Sequence, residues 1–205
     1  MKHFLTFFLV GMIGLLSVNM SYSQAVDDRA VVPLSVTLNS ILRLNIESGG
    51  NVEFNFNTLE QYENGISGLG QNDQYSTKIT VASSVDWNLQ MGAEDEGLVS
   101  TDTVGAVPSM ELGYITFQVD LSDGNLTDGT EVNADVTEAA LPYIGDDINI
   151  IENAGGNAGD VDQNSFRIDW ACGTNFNSIG TLMGSNLTGG RYSTNVFFIL
   201  KPANN

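Results

Sequence analysis

Two Asp-Trp pairs carry residue types that could do chemistry: Asp86-Trp87 in "SVDWNLQMG" and Asp169-Trp170 in "RIDWACGTN". Glycoside hydrolysis needs only two carboxylates set across a sugar-binding cleft, one of them a proton donor. Strand alternation argues against that use. Over 85–91 and 166–172 it turns Trp87 and Trp170 inward and both acids outward. The expectation is therefore core tryptophans flanked by solvent-facing acids, and no enzyme activity. The shared dipeptide is read as convergent strand composition, since the flanking residues do not match.

A second set of oxygen donors lies in "DLSDGNLTDGTEVNAD", with Asp120, Asp123, Asn125, Asp128 and Asp135. Calcium takes six to eight oxygens from carboxylates, amides and carbonyls on a loop that can curl around it. Asp123, Asn125 and Asp128 are the candidate calcium ligands. Their spacing departs from that of an EF-hand loop, and no Glu stands at the twelfth position from Asp123. Asp160 and Asp162 in "GGNAGDVDQN" form a second such candidate. The competing reading of both is a solvated acidic loop. No other cofactor is expected.

Several chemistries are missing. His3 is the lone histidine, and it lies in a stretch expected to be removed. That excludes Ser-His-Asp triads, Cys-His pairs and imidazole-based zinc or copper sites from the mature chain. Cys172 is the only cysteine, so no internal disulfide can form, and it continues the inward face of "FRIDWAC" as a buried, inert thiol. No Gly-rich phosphate loop joins a strand to a helix. The formal charge is −18, or −19 without Lys2, which argues against nucleic acid and anionic membrane surfaces as partners.

The elements that must position these residues are mostly strands. Residues 1–23 read as a signal peptide: Lys2, a short apolar run from Phe4 to Leu16, then Ser21-Tyr22-Ser23. The run is too short for a comfortable membrane span of ~20 residues. A secreted or cell-surface location follows, with no stable membrane insertion. Residues 24–205 are expected to form a single domain. In "PLSVTLNSILRLNIE" the apolar set Leu34, Val36, Leu38, Leu42, Leu44 and Ile46 predicts one long strand, or two bent near Asn39-Ser40. "SGGN" predicts a hairpin of 41–47 with 52–56. Residues 75–91 predict a second hairpin, or a strand that changes sheets. Residues 115–121, 166–172 and 191–200 predict further strands. The stretch 122–164 predicts a long Asp/Asn/Gly-rich loop region, with an edge strand near Ile148–Ile151 and a short helix near Val136–Ala140.

The whole predicts an all-β antiparallel sandwich of about seven to ten strands, immunoglobulin-like or jelly-roll. "TNVFFIL" is apolar on both faces. It is expected in the centre of a sheet, or with its outer face covered by 122–164 or by a neighbouring subunit.

The ends of the mature chain, "VVPLSVTLNSILRLNIESGGNVEFNF" and "LTGGRYSTNVFFILKP", resemble those of secreted bacterial fimbrial or pilin-like sandwich subunits and related spore-coat-type domains. The resemblance implies a structural or adhesive surface protein that assembles with its own kind or another surface protein. It also implies a donated N-terminal strand, with Leu34, Val36 and Leu38 as inserted side chains. The alternative from the binding-module class is a monomeric carbohydrate-binding sandwich. Tyr62, Tyr75 and Tyr143 would then be the aromatics least committed to a core.

Overall fold

The structure, a computed structural model, describes residues 32–71, 74–102, 109–132, 138–176 and 179–203, without the side chain of Asp123. The expected signal peptide lies outside the described residues. The chain divides into two units, 1–38 and 39–205. In the first unit, residues 32–38 carry no helix or strand.

The second unit is all-β, with antiparallel sheets in a sandwich-like arrangement. Its strands in chain order are β1 (Leu42–Ser48), β2 (Ile66–Ser67), β3 (Ser76–Ser83), β4 (Trp87–Ala93), β5 (Gly97–Ser100), β6 (Met110–Glu111), β7 (Ile115–Asn125), β8 (Gly129–Val132), β9 (Ala139–Ala140), β10 (Asn149–Gly156), β11 (Ser165–Cys172), β12 (Tyr192–Ser193) and β13 (Val196–Pro202). One sheet runs β1-β3-β11-β7-β9, with β2 also paired to β11. The other runs β13-β4-β10-β8, and β12-β5-β6 form a small third sheet.

Alternation decides which side chains meet. In the first sheet Ile79, Val81, Phe117, Phe166 and Ile168 face inward and are buried. Trp87, Leu89, Met91 and Ile151 of the second sheet join them in one apolar core. Burial of such side chains supplies roughly 1.5–3 kcal/mol each, and no disulfide assists. The 75–91 segment takes the second of its two predicted forms. β3 lies in the first sheet and β4 in the second. The bend between them is held at Ser83, whose hydroxyl accepts the Val85 N–H and donates to the Val85 carbonyl.

Three expectations need correction. The 41–47/52–56 hairpin does not form: β1 pairs with β3, Leu44 opposite Val81 and Ile46 opposite Ile79. Gly49 explains this. Its φ is 69°, and a Cβ there would sit 1.9 Å from the Ser76 carbonyl oxygen, so the turn is pressed against β3 instead of closing a hairpin. Residues 52–57 then run without a ladder, although Val52, Phe54 and Phe56 still pack on the core.

The 122–164 stretch is largely strand. It holds the end of β7, then β8, β9 and β10, and β10 is an inner strand between β4 and β8. Of the helix expected over 136–140, residues 136–137 lie outside the described residues, and Ala139–Ala140 is strand. Register shifts between Asn149 and Ile151 and between Asn153 and Gly156 broke the period-2 signal, so that Ile150 and Ile151 are both buried. The last strand, β13, is an edge strand: β4 is the one strand it pairs with among the described residues.

Candidate functional site

The least covered apolar residues lie at the start of the described chain. Val32, Leu34, Val36 and Leu38 are 85%, 91%, 76% and 89% exposed. Every second residue from 32 to 38 is thus apolar and bare. Pro33, Ser35 and Thr37 stand between them. No strand pairs with this segment among the described residues.

A second uncovered feature is β13. Its inward residues Val196, Phe198 and Leu200 are only half-buried, whereas the residues opposite them on β4, Ala93, Met91 and Leu89, have no exposure at all. Its outward residues Phe197 and Ile199 are 43% and 38% exposed. Part of the outer face of this sheet does carry the expected cover from 122–164. The Gln90 amide donates to the Ile144 carbonyl, and a Cβ on Gly92 would meet the Ile144 backbone at 2.5 Å. That cover lies over β4. Polar anchors hold the two ends of β13: the Asn195 amide donates to Glu94, and Lys201 pairs with Asp147 at 2.7 Å.

The two Asp-Trp pairs have become structural in different ways. Trp87 and Trp170 are inside, as expected. Asp86 accepts the backbone N–H groups of Asn157 and Ala158. Asp169 does not face solvent and is fully buried. It points to the outer side of the first sheet, but the turn before β3 lies over it. Its carboxylate accepts from the Ser76 hydroxyl, the Gly70 N–H and Arg167 Nε, the last at 2.7 Å. Arg167, itself 4% exposed, also pairs through Nη2 with Asp120 of β7.

Burial pushes the Asp120 carboxyl up. Hydrogen bonds from the Ser122 side chain and backbone and the Arg167 charge outweigh that, leaving it below the usual carboxylate range. Sequence reasoning missed the Asp120–Arg167–Asp169 cluster. The signal was present: Arg167 and Asp169 are two apart on one strand face, in a chain with only 7 cationic residues.

The candidate calcium ligands do not share one loop. Asp123 and Asn125 belong to β7, and Asp128 lies in the link to β8. The Asn125 amide is engaged through Nδ2 with the Asp162 carbonyl, which brings this strand end beside the 160–162 turn. In that turn Asp160 accepts the N–H groups of Asp162 and Gln163. No group of three or more metal-ligating acids, cysteines or histidines gathers among the described residues. Cys172 is buried, and desolvation pushes its thiol up to about 12, which leaves no thiolate to react near neutral pH.

Of the three loop tyrosines, Tyr75 stacks on Phe54 with ring centroids 4.8 Å apart. Tyr62 packs tilted on Phe56 and remains 37% exposed. Tyr143 bridges to Ala93. No family model matches this chain, and no curated protein is significantly similar to it.

Proposed function

We propose that this is a non-enzymatic structural or adhesive protein, secreted or held at a cell surface after loss of residues 1–23. It assembles by strand exchange, with residues 32–38 as the donated strand. It is of the kind that its chain ends resemble, a fimbrial-type sandwich subunit.

The observation that carries this reading is the exposure of Val32, Leu34, Val36 and Leu38 at alternate positions. Covering an apolar side chain is worth roughly 1.5–3 kcal/mol, so four bare ones in seven residues are a strong drive toward a partner. Alternation is what a strand needs in order to add to a sheet edge. Backbone hydrogen bonds then hold it, and every second side chain fills a pocket. The acidic pairs give no competing enzymatic reading, because Asp86 and Asp169 are spent on backbone and ion-pair contacts.

The test is deletion of residues 24–38, followed by sizing of the purified protein by light scattering with and without calcium. Loss of the oligomer with retained β circular dichroism supports the reading. An unchanged oligomer overturns it. A monomer both before and after deletion that binds a polysaccharide panel through Tyr62 would move the protein to the carbohydrate-binding class.

A further inference from the structure

We propose that the free edge of β13, residues 196–200, is the site that receives residues 32–38 of a second copy of this chain. The proposal rests on the strand-exchange reading above and says where the exchanged strand goes.

Four strands end a main sheet or its path, and they are not equal. The edge strand β1 carries Arg43, Asn45 and Glu47 on its outward face, with Glu47 paired to Lys78 at 3.0 Å. Charge on an edge strand is a common guard against unwanted pairing. β8 has four residues, among them Glu131, and β9 has two. Only β13 offers five consecutive uncharged apolar residues, Val196 to Leu200, along an edge to which no further strand is hydrogen-bonded among the described residues. Its guards, Lys201 and Pro202, stand at one end.

The inward side of β13 also lacks cover. Full burial on β4 falls to half-burial one strand further out. Leu42 and Leu44 of β1, which approaches β13 along this flank, are half-buried as well. The seam between the two edges is therefore apolar and incompletely covered.

The donor matches this seam in length, period and charge. Residues 32–38 number seven, as β13 does. Leu34, Val36 and Leu38 would enter the seam beside Val196, Phe198 and Leu200. Ser35 and Thr37 would then lie on the outer face, in line with Phe197 and Ile199. No ionisable side chain occurs between Val32 and Leu38 or between Val196 and Leu200, so none would be desolvated. An edge-to-edge pairing of β13 with the β13 of a second copy would leave the 32–38 side chains bare. The arm is therefore the better occupant.

The experiment mixes two full-length proteins under mild oxidation, one carrying Thr37→Cys and the other Ile199→Cys. Cys172 stays buried and unreactive. The expected result is a disulfide-linked dimer with Ile199→Cys or Phe197→Cys, and none with Arg43→Cys on β1 or Glu131→Cys on β8. Both outward cysteines are on exposed positions, so folding is retained, and circular dichroism checks this.

A dimer formed preferentially with Arg43→Cys or Glu131→Cys overturns the β13 site while leaving strand exchange standing. Linkage of Ile199→Cys to itself in preference to Thr37→Cys favours β13–β13 pairing and also overturns it. A Thr37→Cys/Ile199→Cys double variant that links only within one chain shows that the arm serves its own molecule. An oligomer unaffected by deletion of 24–38 overturns the underlying reading itself.

Discussion

Asp86-Trp87 and Asp169-Trp170 are the same dipeptide on strands of opposite sheets, and the structure uses them differently. Both tryptophans are interior, and both indole N–H groups are satisfied. Trp87 Nε1 donates to the Asn157 carbonyl, and Trp170 Nε1 donates to the Thr77 hydroxyl, which donates in turn to the Gly49 carbonyl. The acids part company. Asp86 stands just before β4, an inner strand of the second sheet, and binds two N–H groups there while half-exposed. Asp169 lies mid-strand in the first sheet, under the Gly70 turn, where the buried Arg167 pairs with it. Local pattern settles which side chains face the core. What lies over the other face settles whether an outward acid is a surface group or a buried one.

The largest way to break this contrast is Asp169→Ala. It removes the acceptor of the Ser76 hydroxyl and the Gly70 N–H, and takes from the buried Arg167 one of its carboxylate partners, Asp120 being another. Removing one partner of a buried ion pair costs about 3–5 kcal/mol. Urea unfolding should show a midpoint shift of that size with an unchanged slope. A loss under 1 kcal/mol would mean that water reaches Arg167, and that the outer face of β11 is not sealed.

The indole partners come next. Asn157 is fully buried, and its side chain accepts the Trp87 N–H and donates to the Trp87 carbonyl. Asn157→Ala orphans both backbone groups and should cost about 2–4 kcal/mol. Thr77→Val keeps the shape, but takes the acceptor from Trp170 Nε1 and the donor from Gly49. About 1–3 kcal/mol should be lost, read in the same unfolding experiment. The reverse order would make the Gly49–Thr77–Trp170 chain the stronger clamp.

Much of this was readable beforehand. The inward faces of β1, β3, β4, β7 and β11 follow directly from period-2 alternation, and so does the interior place of both tryptophans. Where alternation failed, a physical cause is visible. In β10 two adjacent isoleucines are buried because the register shifts between them and β4. At Gly49 a short hairpin gives way to packing against Ser76. The doubly apolar "FFI" of β13 looked like a central strand because sequence reports how apolar a face is, not whether anything covers it. The Arg167 cluster stayed hidden for a related reason. Its three residues come from β7 and β11, and strand order is a long-range property that no local window contains.

Acid should separate the two sites further. The native Asp120 carboxyl is held below its ordinary value, so it contributes stability that is fully present above the unfolded carboxylate range. That contribution is lost as pH falls through the lower native value. The gap in melting temperature between the wild type and Asp120→Asn should therefore be widest near neutral pH, begin to narrow as pH falls through the ordinary carboxylate range, and close only below the lower native value. A gap that widens with acid would mean that burial outweighs Ser122 and Arg167, and that native Asp120 binds its proton more readily than the unfolded chain does.

Asp86→Ala should have the smallest effect. Its carboxylate accepts two backbone N–H groups, at 2.9 Å from Asn157 and 3.2 Å from Ala158, but the Ala158 end is exposed and water can replace the acceptor there. A net loss of about 0.5–1.5 kcal/mol follows for such a half-open site. The same substitution beside Trp170 would be several times more damaging, although the two dipeptides are identical. Hydrogen exchange gives the sharper readout. Asp86→Ala should speed exchange at Ala158 and leave the indole of Trp87 protected, since Asn157 holds the tryptophan through its own side chain and carbonyl. Faster exchange at the Trp87 indole as well would show that Asp86 positions Asn157, and that this acid is as much a part of the core's polar lining as Asp169.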